Sequence, residues 1–176
     1  MLTLKYYQFL NPPKLSYLIT KSISTRQDLL NNLYASPSKV DLLTLCLMPN
    51  HFHLVLRQNQ DGGISKFLAD FQNSYTKYFN AKNKRSGSLL NRQFKSVHIE
   101  TDEQLSHLLR YVVLNPFSSS IINNSNNIFK FPYSYINFEL INKFTNISTI
   151  KFKEFVLNHA DYQRQLEKIK HLTLEE

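Results

Sequence analysis

Residues 48–57 read Met48-Pro49-Asn50-His51-Phe52-His53-Leu54-Val55-Leu56-Arg57, and at the centre of the run two histidines flank one hydrophobic residue. Upstream, Val40 to Leu47 is apolar and partly β-branched, bounded by Pro37 and Pro49. Beyond Pro49 the chain resumes as His51 to Arg57, which again reads as strand, so the two runs predict a strand pair. Alternate side chains of a strand share a face, so His51 and His53 project together while Phe52 and Leu54 face the opposite side. Two imidazoles roughly 6–7 Å apart along one strand can share a divalent metal. A lone buried histidine is usually a hydrogen-bonded core residue, and a short His-x-His also arises by chance. The pair therefore gains its meaning from partners downstream.

Composition narrows the classes. The 176 residues suffice for one domain with a real core, or for one domain plus an accessory subdomain. A hydrophobic content of 42% with 13% aromatics marks a globular chain and excludes a disordered one. The formal net charge of +8 favours an anionic partner, nucleic acid being the commonest. The single cysteine, Cys46, excludes a disulfide framework and a Cys-based zinc site within one chain. It reads as a small buried hydrophobe and suits a reducing cytosol. No apolar run approaches the ~20 residues of a membrane helix, and Met1 to Pro13 lacks the apolar core of a secretory signal. The expected location is cytoplasmic.

Along the chain, a short aromatic segment from Lys5 to Leu10 closes at Pro12-Pro13. Ser24 and Gln27 resemble a capping box, with Leu29, Leu30 and Leu33 as the following helix face. Asp61-Gly62-Gly63 opens a second helix, with Ile64, Phe67, Leu68, Phe71, Tyr75, Tyr78 and Phe79 at helical spacing. Ser96 to Glu100 reads as a short strand. Thr101 and Gln104 form another capping box before a helix with Leu105, Leu108, Leu109, Val112 and Val113 on its core stripe, which Pro116 is expected to end. A polar loop follows, then an aromatic, irregular stretch from Phe129 to Phe144. One last amphipathic helix is expected from about Thr149 to His171, with Phe152, Phe155, Val156, Tyr162, Leu166 and Ile169 inward.

Between Phe71 and Ile99 there is no acidic residue, while Lys77, Lys82, Lys84, Arg85, Arg92 and Lys95 are all basic. Interleaved with Tyr75, Tyr78, Phe79 and Phe94, these cations suit a groove that tracks a phosphate backbone and lets bases stack. A solvated basic loop is the plainer alternative, but the absence of acids over this length favours nucleic acid.

On the helix after Thr101, Tyr111 and Asn115 are four apart and so neighbours on one stripe beside the core face. A tyrosine hydroxyl is a weak nucleophile that becomes useful when a metal polarises its target. A carboxamide oxygen is a hard ligand suited to Mg²⁺ or Mn²⁺. The candidate constellation is His51 and His53 from a strand, Asn115 from a helix end, and Tyr111 one turn before it. Tyr75 and Tyr78 sit at core or stacking positions, and His98 and His107 are assigned no ligand role.

Together these residues resemble the single-tyrosine (Y1) HUH transposases, in particular the REP-associated tyrosine transposase branch. The resemblance rests on Leu47 to Leu54, Asp61 to Phe67, Ser74 to Asn80, Arg85-Ser86-Gly87 with Phe94-Lys95, and Arg110 to Pro116. Pro132-Tyr133-Ser134-Tyr135 is similar to that branch's C-terminal segment. It implies an α+β fold: a ferredoxin-like antiparallel sheet that carries the histidines, with packed helices. Residues 1–116 would be the catalytic domain and 117–176 a C-terminal loop and helical extension.

The family cuts and rejoins single-stranded DNA near hairpins. By carry-over, Tyr111 attacks a phosphodiester and holds the 5′ phosphate as a phosphotyrosine, while His51, His53 and Asn115 hold Mg²⁺ or Mn²⁺. The Lys77–Lys95 region contacts hairpin or single-stranded DNA, and the branch's habit implies a monomer, with the dimer of the wider family as the alternative. Members carry another strand upstream of the segment that begins here at about Lys5, so the expected sheet lacks that first strand. Near Leu90, where members carry a Trp or a Gly-Arg pair, this chain reads Leu89-Leu90-Asn91-Arg92-Gln93. Two rival readings are a truncated or domesticated DNA-binding protein without cleavage, and a metal-dependent hydrolase. No Asp or Glu near the histidines completes the usual hydrolase ligand set.

Overall fold

The computed structural model describes residues 2–90 and 94–173. Three strands form an antiparallel sheet in the order β2-β1-β3: β1 (Val40–Leu47), β2 (Phe52–Gln58) and β3 (Ser134–Ile136). Helices α1 (Leu2–Tyr7), α2 (Leu15–Ile19) and α3 (Ile23–Tyr34) precede the sheet, and α4 (Gly63–Lys82) and α5 (Asp102–Ser118) follow the first two strands. A 3₁₀ turn (Ser125–Lys130), β3, α6 (Phe138–Thr145), α7 (Thr149–Asn158) and α8 (Ala160–Thr173) complete the chain. The α+β architecture is the one expected. By contacts the chain divides into two compact units, Met1–Asp41 with Arg57–Val97, and Leu42–Leu56 with His98–Glu176.

In the first unit α1 packs on α4. Leu4, Tyr6, Tyr7, Leu33, Phe67, Leu68 and Phe71 are buried there. Lys5 to Leu10, read as one aromatic segment, divides between the end of α1 and an isolated bridge from Phe9 to Ser38. The main-chain N–H of Lys39 donates to the Gln8 carbonyl at 2.8 Å. Lys39 is fully buried, and its ammonium reaches the Asp70 carboxylate on α4 at 2.7 Å. At the start of α4, Gly62 takes a left-handed φ of 68°. A Cβ on the next residue, Gly63, would strike the Lys39 carbonyl. The Asp-Gly-Gly break thus does two jobs, a turn at Gly62 and a close approach at Gly63.

In the second unit the core gathers Leu43, Cys46, Val55, Leu109, Val112, Val113, Leu114, Phe117, Ile128, Ile141, Phe152 and Val156. β3 pairs antiparallel with β1 in the register Thr44–Ile136, Leu45–Tyr135 and Cys46–Ser134. The Thr44 hydroxyl donates to the Tyr135 carbonyl at 2.9 Å. Helices α6, α7 and α8 pack against α5.

Several local expectations are corrected. The N-cap of α3 is Ser22, whose hydroxyl accepts from Thr25 N–H, and Ser24 lies inside the helix. No strand forms over 96–100 among the described residues, and the segment is exposed on both faces except at Ile99. An extended run becomes a strand only when its main chain finds a ladder partner. Pro116 does not end α5, which continues to Ser118. Proline removes one N–H, but the turn beyond it closes through Ser119 N–H to the Asn115 carbonyl.

The stretch from Phe129 to Phe144 is ordered, holding β3 and α6. The single last helix is two, α7 ending at a cap on His159 before α8 begins. Ala160 and Gln163 are buried on α8, while Tyr162 and Leu166 are exposed, and the side chain of Ile169 lies outside the described residues. Among the described residues no helix is long and apolar enough to cross a membrane.

Candidate active site

The β1–β2 turn decides where the histidines stand. Met48 N–H donates to the His51 carbonyl at 2.9 Å, closing the turn over Pro49 and Asn50, and β2 starts one residue later. His51 is exposed and His53 half-buried. Their rings meet edge to face, centroids 4.8 Å apart, and the two Nε2 atoms lie 3.0 Å apart. That is closer than the 6–7 Å repeat along a strand because the rings lean together at their tips. On the other side of the ring, the Asn50 Oδ1 lies 2.7 Å from His51 Nδ1.

The other two residues arrive on α5. Thr101 caps the helix by accepting from Gln104 N–H at 3.2 Å, and the Gln104 side chain accepts from Glu100 N–H at 2.8 Å. Asp102 and Glu103 place negative charge in the first turn, where the helix dipole favours it. The apolar stripe through Leu109, Val112 and Val113 then fixes the rotation of the helix in the core. Asn115 is delivered with its Nδ2 at 3.2 Å from His53 Nε2, across 62 residues of sequence. It is only 5% exposed, deeper than a stripe beside the core would place it. Ser119 donates to its Oδ1 at 3.4 Å. Tyr111, one turn earlier and half-buried, sets its ring edge-on to His53 with centroids 5.6 Å apart.

Burial first, and the neighbouring His51 second, push the pKa of His53 below its ordinary 6.5. The neutral ring that results is the form that ligates metal. Two Nε2 atoms at 3.0 Å require a proton or a metal ion between them. Ligands about 2.1 Å from an octahedral ion and at right angles to one another lie ~3.0 Å apart, so the observed spacing fits a shared cation. Among the described residues no three His, Cys, Asp or Glu side chains cluster for a metal. With the Asn115 carboxamide, a hard oxygen donor once the amide turns that atom inward, three side chains could hold a divalent ion here. Two imidazoles and a carboxamide offer nitrogen and oxygen donors for a divalent cation and no thiolate.

Compared with known protein families, residues 3–115 match the family described as Transposase IS200 like, more than half of the chain. The chain belongs to the IS200-like transposase family. Searches of curated proteins and of solved structures returned no significant match. The transposase match runs from α1 to Asn115, so His51, His53, Tyr111 and Asn115 all fall inside it. Transposase membership makes DNA the partner, and divalent-metal dependence is general in this family.

The expected DNA-binding residues of the transposase stand in the first unit, apart in sequence from the histidines and tyrosine. Lys77 and Lys82 are exposed on α4, and Lys84 and Arg85 on the turn that follows, where Lys84 takes a positive φ of 50°. Lys82 lies 6.0 Å from the Tyr78 ring centroid, and Arg85 lies 5.7 Å from that of Phe79. Arg85 also donates to the Ser88 carbonyl at 3.2 Å. Lys95 is exposed in the irregular segment before α5, and Arg92 lies outside the described residues.

Sequence reasoning passed over Asn50, Ser119 and Gln163. Gln163 of α8 donates to the Tyr111 carbonyl at 3.4 Å. Asn50 carried a signal, a carboxamide directly before the first histidine in a turn. The other two carried none, being ordinary polar residues whose partners come from the fold.

Proposed function

We propose that this chain cuts and rejoins single-stranded DNA through a covalent 5′-phosphotyrosine on Tyr111, as a member of the REP-associated branch acting near hairpins. The observation that carries the reading is the convergence of His51, His53 and Asn115 within 3.2 Å contacts, with the Tyr111 ring against His53. Strand and helix have no structural need to bring two imidazoles, a carboxamide and a phenol to one point.

In this reading the Tyr111 oxygen attacks the scissile phosphorus, losing its proton to solvent, and the bond to the 3′ oxygen breaks. The 3′ oxygen leaves and takes up a proton, and the 5′ phosphate stays on Tyr111. Rejoining is the reverse attack by a 3′ hydroxyl. His51, His53 and Asn115 would hold a divalent ion, Mg²⁺ or Mn²⁺, which when bound would supply Lewis-acid polarisation of the phosphate. His53, half-buried, stays neutral and offers its Nε2 lone pair, while the core packing of α5 holds Tyr111 in place.

Residues 1–116 would form the catalytic domain, with Lys77, Lys82, Lys84, Arg85, Arg92 and Lys95 gripping the backbone, in a cytoplasmic monomer. The test is a labelled single strand copied from the DNA flanking the gene, incubated with Mn²⁺ and resolved on a denaturing gel. Cleavage that vanishes in Tyr111→Phe and in His53→Ala supports the reading. A water-using hydrolase would still cut with Tyr111→Phe. Tight hairpin binding with no cleavage by folded wild type would instead support a DNA-binding protein that does not cut, a reading the acid-free basic stretch favours by itself.

A further inference from the structure

We infer that Asn50 is a positioning residue: it fixes the tautomer of His51 so that the lone pair of Nε2 faces His53. This rests on the metal-site reading above. The carboxamide oxygen of Asn50 lies 2.7 Å from His51 Nδ1. An amide oxygen accepts and never donates, so Nδ1 carries the proton. A neutral imidazole has one N–H, so a proton on Nδ1 leaves Nε2 bare. That bare nitrogen is the atom 3.0 Å from His53 Nε2.

The backbone explains why a residue in this position can do it. Asn50 sits in the turn closed by Met48 N–H on the His51 carbonyl, so it and the His51 ring are held at adjacent positions before β2 begins. The two histidines solve the same problem differently. His53 is half-buried, with the Asn115 amide against its Nε2, whereas His51 is exposed to water, which imposes no tautomer. The exposed ring is the one given a neighbouring acceptor. Outer partners of this kind orient a metal-binding histidine, and their loss weakens metal affinity about 10–100-fold.

The test uses the full chain in three forms: wild type, Asn50→Ala and Asn50→Asp. Aspartate can only accept, so it keeps the bond, whereas alanine removes it. Long-range ¹H–¹⁵N spectra of ¹⁵N-histidine-labelled, metal-free protein at pH 8 read the tautomer of His51 directly. Wild type and Asn50→Asp should hold the proton on Nδ1, and Asn50→Ala should shift it towards Nε2. Calorimetric titration with Mn²⁺ should show binding weakened about 10–100-fold in Asn50→Ala and retained in Asn50→Asp. An unchanged tautomer in Asn50→Ala, or an Asn50→Asp protein as impaired as Asn50→Ala, overturns the proposal. Failure of wild type to bind Mn²⁺ would overturn the metal reading, and the metal-free spectra would still decide the role of Asn50.

Discussion

His53 Nε2 lies 3.2 Å from the amide nitrogen of Asn115 and 3.0 Å from His51 Nε2, and burial first, then His51, holds its pKa below the ordinary 6.5. The same core treats Cys46 differently. Full burial pushes its thiol from an ordinary 9.0 up to about 12. The folded chain therefore holds the proton more tightly than the unfolded one, so this group's contribution to stability is complete below pH 9 and falls as pH rises from there towards 12. At pH 8 a thiol reagent should modify Cys46 only as fast as the protein unfolds. Rapid labelling of native protein would show the thiol accessible. The histidine pair and Tyr111 with Asn115 were legible because the members of each pair lie within four residues of one another, where local spacing alone predicts who shares a face. That the two pairs meet was supplied in the sequence by resemblance, since no local period links residue 53 to residue 115. Ser119 and Gln163 were not legible at all, because their partners exist only once the chain has folded.

At the level of elements, the residue just before β1 is tied to α4 by a buried ion pair. Lys39 is fully buried against Asp70, which is itself a third exposed. Asp70→Asn strands a buried ammonium and should cost about 3 kcal/mol in urea unfolding, the low end for a broken buried pair because water reaches the carboxylate side. Lys39→Met removes the buried charge and leaves a solvated Asp70, so it should cost clearly less. Equal losses would show that the pair acts as one unit. Gly63→Ala should also destabilise, by about 1–3 kcal/mol, because the gain in helix propensity cannot offset a methyl pressed into the Lys39 carbonyl.

The strongly periodic elements, β1, β2, α4 and α5, were readable in the sequence. The three-residue β3 was not, since it is strand only by virtue of its ladder with Thr44 to Cys46. The break at His159 was equally hidden. Phe152, Val156 and Gln163 keep a nearly helical spacing across it, so the pattern reads as continuous while the backbone is not.

For the whole molecule the governing quantity is charge. A net +8, with six cations and no acid between Phe71 and Ile99, predicts binding to single-stranded DNA that weakens steeply with salt. Each phosphate neutralised on a single strand contributes a slope of about −0.7 in log affinity against log salt. Replacing Lys82, Lys84 and Arg85 together by alanine should therefore flatten the slope by about 2, measured by fluorescence anisotropy between 50 and 200 mM salt. An unchanged slope would remove these residues from the interface. The same variant should leave the thermal stability almost unaltered, because all three side chains are exposed.

Whether the two histidines and the helix tyrosine form one reaction centre is tested most directly by where DNA becomes attached. A single-stranded hairpin substrate would be incubated with the full chain and Mn²⁺, and the covalent adduct digested with trypsin and nuclease for peptide mass spectrometry. One modified peptide is expected, with the residual nucleotide phosphate on Tyr111, and no adduct in His51→Ala or His53→Ala. An adduct mapped to Tyr75, Tyr78 or any other residue, or one that forms unchanged without both histidines, would contradict it.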